Sequence, residues 1–340
     1  MKRYNNLYIK ICSYENLFLA HEKAKRGKSH YKEVQRIDSD PEKYLLELQK
    51  DLQNKTYKTS KYEIEERVEG RKLRTICKLP YYPDRIVHHA IMNIVGELWV
   101  KTLISDTYQS IKGRGIHLAV KRIRKALDEN KVEIKYCLKI DIKKFYPNVD
   151  NEILKKIIRK KIKDPDLLWL LDEIIDSILG LPIGNFLSQI FGNLYLSDFD
   201  HWIKEVKGIK FYYRYCDDCI FLLDSKEELH RLRVEISEYL GSKLKLEVKT
   251  DWQIFPIDSR GIDFIGYRFF TTHTLLRKSI KNNFTHKIKV IKKDWEGMNS
   301  FQIINTIMSY VGWMKYGNCF NLNIQHINND IKFIMELKKI

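Results

Sequence analysis

Apolar residues recur along this chain in two rhythms. A spacing of three and four predicts helices. It is seen at Tyr44, Leu45, Leu48 and Leu52, and at Ile86, Val87, Ala90, Ile91, Ile94 and Val95. It returns at Ile153, Leu154, Ile157, Ile158 and Ile162, at Leu167, Leu168, Leu171, Ile174, Ile175 and Ile178, and at Leu229, Leu232, Ile236 and Leu240. Ser13, Asp150 and Ser225 stand where helix N-caps are expected, the last in the capping box Ser225-Lys226-Glu227-Glu228. Gly241 is expected to end the helix that Ser225 begins, and Asp164-Pro165 to break another. A single helix is expected to bury Leu187, Ile190, Phe191, Leu194, Tyr195, Phe199 and Trp202.

Alternation predicts strands elsewhere. Tyr57, Tyr62, Ile64 and Val68 lead through a turn at Glu69-Gly70-Arg71 to Leu73, Thr75 and Ile76. Tyr136 to Ile142 reads as a strand, as do Phe211 to Tyr215, Ile220 to Leu223, and Leu244, Leu246 and Val248. Residues 261–269 read as a hairpin, and residues 1–55 and 301–340 as helical. The order of elements is that of an α+β protein with a small antiparallel sheet backed by helices.

Two carboxylates break the pattern. Asp217 and Asp218 stand side by side where apolar residues run up to them and resume at once, the tip of a hairpin. A third, Asp141, lies inside the strand Tyr136 to Ile142. Like charges in an apolar setting repel and are costly to bury. If the strands are neighbours, three carboxylates can hold two Mg²⁺ ions, one activating an attacking hydroxyl and one stabilising a leaving pyrophosphate oxygen. Lys72, Arg74 and Lys78 alternate with apolar residues, so they are expected on one positive strand face that suits a triphosphate. That chemistry is nucleotidyl transfer.

Composition agrees. The 340 residues carry a net charge of +17 spread along the chain, with 12% aromatic residues, which is the profile of a folded nucleic-acid binder. Cys216 and Cys219 form the one Cys-x-x-Cys, with no second pair to complete a zinc site, so the six cysteines are expected to be reduced and mostly packed. No run of 18 apolar residues occurs and no apolar segment follows the first six residues, so the expectation is a cytoplasmic protein with no membrane span.

These residues resemble the reverse transcriptase family. Leu138-Lys139-Ile140-Asp141-Ile142-Lys143-Lys144-Phe145-Tyr146 is similar to its first catalytic motif, Tyr215-Cys216-Asp217-Asp218 to its Tyr-x-Asp-Asp signature, Gly184-x-x-x-Ser188 to the motif between them, and the 261–269 hairpin to its primer grip. The resemblance implies a right-hand polymerase: an N-terminal helical extension at 1–55, fingers with part of the palm at 56–135, a palm at 136–270 that includes the 180–203 motif region, and a helical thumb at 271–340. It implies Asp141, Asp217 and Asp218 as catalytic residues. Together with the backbone carbonyl of Ile142 they are the metal ligands for two Mg²⁺, with Mn²⁺ as a substitute. Lys72, Arg74, Tyr146, Ile183, Gly184 and Gln189 are the implied dNTP contacts, with Tyr146 at the position that screens the sugar 2′-hydroxyl. Lys249 is a candidate proton donor, and Phe264, Gly266 and Tyr267 belong to the implied primer grip.

A narrower resemblance lies in Leu181-Pro182-Ile183-Gly184-x-x-x-Ser188-Gln189. It departs from the usual Gln-Gly-x-x-x-Ser-Pro, and in that it is similar to the reverse transcriptases of diversity-generating retroelements. Such enzymes copy a template RNA into cDNA that is mutated at adenines and replaces part of a target gene. The resemblance implies template RNA, primer or cDNA, dNTPs and a small basic accessory protein as partners, in the cytoplasm of a bacterial or phage-infected cell. A rival expectation is a defence-associated, abortive-infection type of reverse transcriptase. A non-catalytic RNA-binding remnant would be expected to have lost its acids, and all three are present.

Overall fold

The computed structural model describes residues 3–69, 72–294 and 297–324. The chain divides into two compact units, each discontinuous in sequence. The first comprises Met1–Ile111, Ile142–Ile209 and Glu235–Lys249, the second Lys112–Asp141, Lys210–Val234 and Thr250–Ile340.

The first unit is mainly helical. Ser13 caps the helix Tyr14–Ala24 by accepting the Asn16 amide at 3.3 Å. Asn16 then donates its side-chain amide to the carbonyls of Ile11 and Ala90, at 3.0 and 3.1 Å, which ties this helix to Ile86–Val100. Leu45, Leu48 and Leu52 of the helix Pro41–Gln53 are buried, as their spacing predicts. Asp150 caps Asn151–Arg159 through the Ile153 amide at 2.9 Å. Asp164 does more than end a helix. It caps Pro165–Asp176 through the amides of Asp166 and Leu167, and it also accepts the amides of Leu7 and Tyr8, at 2.6 and 2.9 Å.

Two expectations for this unit are corrected. The single helix from Leu187 to Trp202 is broken into Ser188–Tyr195 and Ser197–His201, followed by a wider turn at Trp202–Val206. The Ser197 hydroxyl bonds back to the Leu194 carbonyl at 2.7 Å and so competes with the helical ladder at the break. Trp202 is only half-buried and stacks on Tyr239 at 4.6 Å. The strand expected at Leu244, Leu246 and Val248 is also absent. The helix Lys226–Leu244 runs past Gly241, Lys245 turns at a φ of 53°, and only Val248 makes a bridge, to Ile142.

The strands β1 (Glu63–Glu69) and β2 (Lys72–Lys78) form an antiparallel ribbon in register Glu63 to Lys78. The expected turn residues Gly70 and Arg71 lie outside the described residues, as does the 325–340 part of the helical stretch. The ribbon's apolar face is open: Ile64, Val68 and Leu73 are 64%, 70% and 62% exposed. The expected positive face is mixed. Register places Lys78 across from Glu63 and Arg74 across from Arg67, and Lys78 pairs with Glu65. The acidic partner strand sets this, and the spacing within β2 alone does not show it.

The second unit carries the other two sheets. In the four-stranded sheet the order is β4 (Tyr212–Tyr215), β5 (Asp218–Leu223), β3 (Tyr136–Asp141), β6 (Gln253–Pro256), all pairs antiparallel. The other sheet is β7 (Ile262–Phe264), β8 (Tyr267–Phe269) and β9 (Thr274–Leu276). Ile265 and Gly266, at φ 46° and 88°, make the two-residue turn with two positive φ values that suits a twisted hairpin. Arg124 of the helix Ile116–Glu129 bonds the carbonyls of Phe270 and Thr271, both at 2.6 Å, and so holds the chain leaving β8. No helix among the described residues is long and apolar enough to cross a membrane.

Candidate functional site

The three aspartates meet on the four-stranded sheet. Pairing of β3 with β5 puts Asp141 directly across from Asp218, and Asp217 occupies the turn that joins β4 to β5. Cys216 takes the left-handed conformation in that turn, at φ 59°. The fully buried Arg214 holds it from beneath, donating Nη1 to the Cys216 carbonyl at 2.9 Å. Phe211 and Tyr213, on one face of this strand, are buried. Both faces are covered, because Tyr212 and Arg214 are each 0% exposed.

The charges act as their crowding predicts. Burial, followed by the Asp141 charge, raises the Asp217 carboxyl above its ordinary value. Burial pushes the Asp218 carboxyl up to about 6; Lys139 opposes the shift, and Asp141 adds to it. Asp218 Oδ1 is buried with no hydrogen-bond partner. An acceptor-only set with an orphaned oxygen fits a hard divalent cation, and Asp141, Asp217 and Asp218 are the residues that can hold one. The cluster His21, Glu22 and Asp38 has suitable ligand atoms but already contains a cation, since Lys25 lies 2.5 Å from Glu22 and 3.0 Å from Asp38.

A pH dependence follows. The Asp218 carboxyl has an ordinary value of 3.8, so the unfolded chain ionises first as pH rises. The folded state then binds more protons between about pH 4 and pH 6, and stability falls with rising pH across that window. Metal-free Asp218→Asn is therefore expected to be more stable than the wild type near neutral pH by about 1–3 kcal/mol, with the gap closing toward about pH 4. Added Mg²⁺ at neutral pH is expected to raise the melting temperature of the wild type more than that of the variant. Thermal melts over this range check both, and a gap independent of pH would remove the assignment.

The hairpin expected to be a primer grip forms in the same unit. Phe264 and Tyr267 are fully buried, so their side chains support the hairpin from within, and Arg268 between Tyr267 and Phe269 is exposed. Tyr267 donates its hydroxyl to the Trp313 carbonyl at 2.8 Å. A Cβ at Gly266 would lie 2.5 Å from the Trp313 ring.

The remaining predicted residues belong to the first unit. The 181–189 loop is bonded to β2, with the Cys77 amide donating to the Ile183 carbonyl at 2.7 Å. Gly184 follows at φ 115°, where a Cβ would lie 2.7 Å from the Cys77 carbonyl oxygen. The Ser188 hydroxyl closes the loop on the Pro182 carbonyl at 2.7 Å, and exposed Gln189 accepts the Ser110 hydroxyl at 2.6 Å. The Leu181 amide donates to the Tyr146 carbonyl at 2.8 Å, so Tyr146, Ile183, Gly184 and β2 form one connected group. Arg74 is exposed on β2, and Lys72 opens that strand. Lys249 is half-buried next to Val248, which bridges to Ile142, the residue after Asp141.

Sequence and shape comparisons agree on the kind of protein this is. Residues 67–269 match the family described as Reverse transcriptase (RNA-dependent DNA polymerase), and the chain belongs to that family. The chain is 22% identical to Protein YkfC of Escherichia coli over 234 residues, 56% of this chain and 61% of that one. It is 19% identical to the group II intron-encoded protein LtrA of Lactococcus lactis subsp. cremoris over 271 residues, 58% of this chain and 44% of that one. It therefore spans less than two thirds of the length of these curated relatives. Among solved structures, telomerase from Candida tropicalis in complex with a TWJ fragment of telomeric RNA aligns with a TM-score of 0.51 at 13% identity, covering 82% of this chain and 58% of that one. The telomerase of Candida albicans in complex with a TWJ fragment gives a TM-score of 0.51 at 11% identity, covering 82% and 55%. At these identities the likeness shows the right-hand polymerase fold, the fold class expected from the sequence.

Proposed function

We propose that this protein is an RNA-directed DNA polymerase acting by two-metal nucleotidyl transfer. The observation that carries the reading is the register that sets Asp141 across from Asp218, with Asp217 in the adjoining turn, inside a reverse transcriptase domain. Two Mg²⁺ ions held by these carboxylates and the Ile142 carbonyl would activate the primer 3′-hydroxyl and stabilise the leaving pyrophosphate. The residues of the chain do the rest. Lys72 and Arg74 take the triphosphate, Gly184 lets the backbone come close to the incoming nucleotide, the Tyr146 ring excludes a 2′-hydroxyl, and Lys249 is the proton donor to pyrophosphate. The fingers, palm and thumb divide at about residues 56, 136 and 271, after the N-terminal helical extension. The test is incorporation of dNTPs on a primed RNA template, which EDTA should abolish. A chain that extends no primer in Mg²⁺ or Mn²⁺ refutes the proposal.

The finer reading is mutagenic copying of a template RNA for diversification of a target gene. It is supported by Ile183 and Gln189, which stand where most relatives of the resembled family have glutamine and proline. Isoleucine offers no hydrogen bond to the nucleotide sugar. Losing one polar contact relaxes discrimination by about 1–3 kcal/mol. The Ile183 backbone is held by Cys77, so its side chain can be exchanged without moving the loop. Ile183→Gln is expected to lower misincorporation opposite template adenine by about tenfold or more. Sequencing cDNA made on the native flanking RNA reads this directly. An unchanged error spectrum removes the role of Ile183, and cDNA unrelated to the template favours the defence-associated reading. The small basic accessory protein is proposed as a partner. Two basic proteins repel, so the shared RNA is the expected bridge between them.

A further inference from the structure

Lys139 is a half-buried lysine in the middle of β3. It stands two positions before Asp141, so both side chains leave the same face of the sheet. Its Nζ lies 3.4 Å from Asp218 Oδ2 and donates to the Asp263 backbone carbonyl at 2.6 Å. Asp263 is the middle residue of β7, and its carboxylate accepts Arg277 Nε at 2.6 Å. The Arg277 amide in turn donates to the Gly266 carbonyl in the hairpin turn at 2.9 Å. One ammonium group therefore joins two sheets of the second unit, the one that carries the aspartates and the one that carries the hairpin. It borders a cavity of about 230 Å³, which Asp141, Gln253, Arg260, Asp263 and Arg268 also line.

A fixed positive charge this close to Asp218 opposes the entry of a divalent cation. What it supplies in exchange is mechanical. The hairpin backbone is fastened to the carboxylate that the metal site uses, through a side chain that is itself about three quarters buried.

We propose that Lys139 is a positioning residue that fixes the β7–β8 hairpin against Asp218, so that a primer end resting on the hairpin arrives in line with the carboxylates. The proposal rests on the polymerase reading above. It goes beyond it by assigning the coupling between primer seat and metal site to one side chain. A lysine suits the task because its flexible stem carries several donors and can satisfy a carbonyl and a carboxylate at once.

The full-length Lys139→Met and Lys139→Arg variants test it, with circular dichroism to confirm folding. Three quantities are read: single-turnover primer extension, affinity for a primer–template duplex, and Mn²⁺ affinity of the free protein by titration calorimetry. Misalignment in Lys139→Met is expected to slow extension by about 10- to 100-fold, while duplex affinity changes by less than about threefold. Removing the charge is expected to tighten Mn²⁺ binding by about 3- to 10-fold. Lys139→Arg, which keeps the charge, should return Mn²⁺ affinity to the wild-type value and recover part of the rate.

A lysine that merely stabilised the fold would lower rate and metal affinity together, which is the opposite sign for Mn²⁺. Unchanged extension by Lys139→Met, or weaker Mn²⁺ binding, overturns the proposal. If Lys139→Met does not fold, Lys139→Gln carries the same expectations. Failure of the polymerase reading is a different result: the wild-type chain itself would extend no primer.

Discussion

Purified Asp217→Ala protein is expected to fold normally and to lose DNA synthesis by at least about 10³-fold, equivalent to about 4 kcal/mol of barrier. The two halves of this result have one cause. Asp217 sits in the turn between β4 and β5, where burial and Asp141 hold its carboxyl above the ordinary range. Its charge is a burden to the metal-free fold, so alanine there removes repulsion and leaves the Arg214 bond to the Cys216 carbonyl in place. The same charge is what a divalent cation needs, and two of the three carboxylates cannot hold a pair of ions in line. Primer extension and a thermal melt on one preparation check both halves. Equal incorporation by wild type and variant sinks the assignment, whereas a lowered melting temperature would trace the loss to folding.

Gly184→Ala is expected to cost the next largest share of activity with no change of charge. At φ 115° an alanine is strained, and its Cβ would lie 2.7 Å from the Cys77 carbonyl oxygen and 3.2 Å from Ile76 Cγ2. The loop cannot back away, because the neighbouring Ile183 carbonyl accepts the Cys77 amide and Ser188 closes the loop on Pro182. Strain of this kind costs about 1–3 kcal/mol even before the clash is counted. Relief requires the Ile183–Cys77 bond to break, which parts the loop from β2. An approximately 10²-fold loss in kcat/KM for dNTP is expected, because small misplacements of a nucleotide-binding group cost that much. Steady-state kinetics with varied dNTP check it. Wild-type values in Gly184→Ala would show that the close approach to β2 is not needed.

How much of this was legible in the residues depends on whether a signal was local. The caps at Ser13 and Asp150, the β7–β8 hairpin and the strands on either side of Asp217 are written in short runs, and each forms where its pattern places it. Asp141 could be paired with Asp217 and Asp218 because a carboxylate inside an apolar strand is costly to bury until a cation or a proton neutralises it. Lys139 and Arg214 were illegible for the opposite reason. A cation in a strand usually faces water, and only the register of β3 with β5 and the position of Asp263 show where Lys139 ends. Leu244, Leu246 and Val248 misled because Leu244 and Leu246 are buried without being part of a strand, one closing a helix and the other in the coil after it. The mixed charge of the β1–β2 ribbon needed both strands at once, since Glu63 and Glu65 meet Lys78 only after pairing.

That ribbon has a thermodynamic consequence. Each strand has seven residues, and fixing each residue costs about 1–2 kcal/mol of conformational entropy. With Ile64, Val68 and Leu73 largely in water, little burial offsets that cost, and a two-stranded ribbon is marginal on its own. The Cys77 end is pinned to the 181–189 loop, so this anchor rather than burial holds the ribbon. A ligand that lies on the ribbon supplies the missing ordering and loses affinity in proportion. The apparent dissociation constant of the nucleotide proposed to bind at Arg74 would then be a composite, made of its contacts and of the fraction of time the ribbon is already assembled.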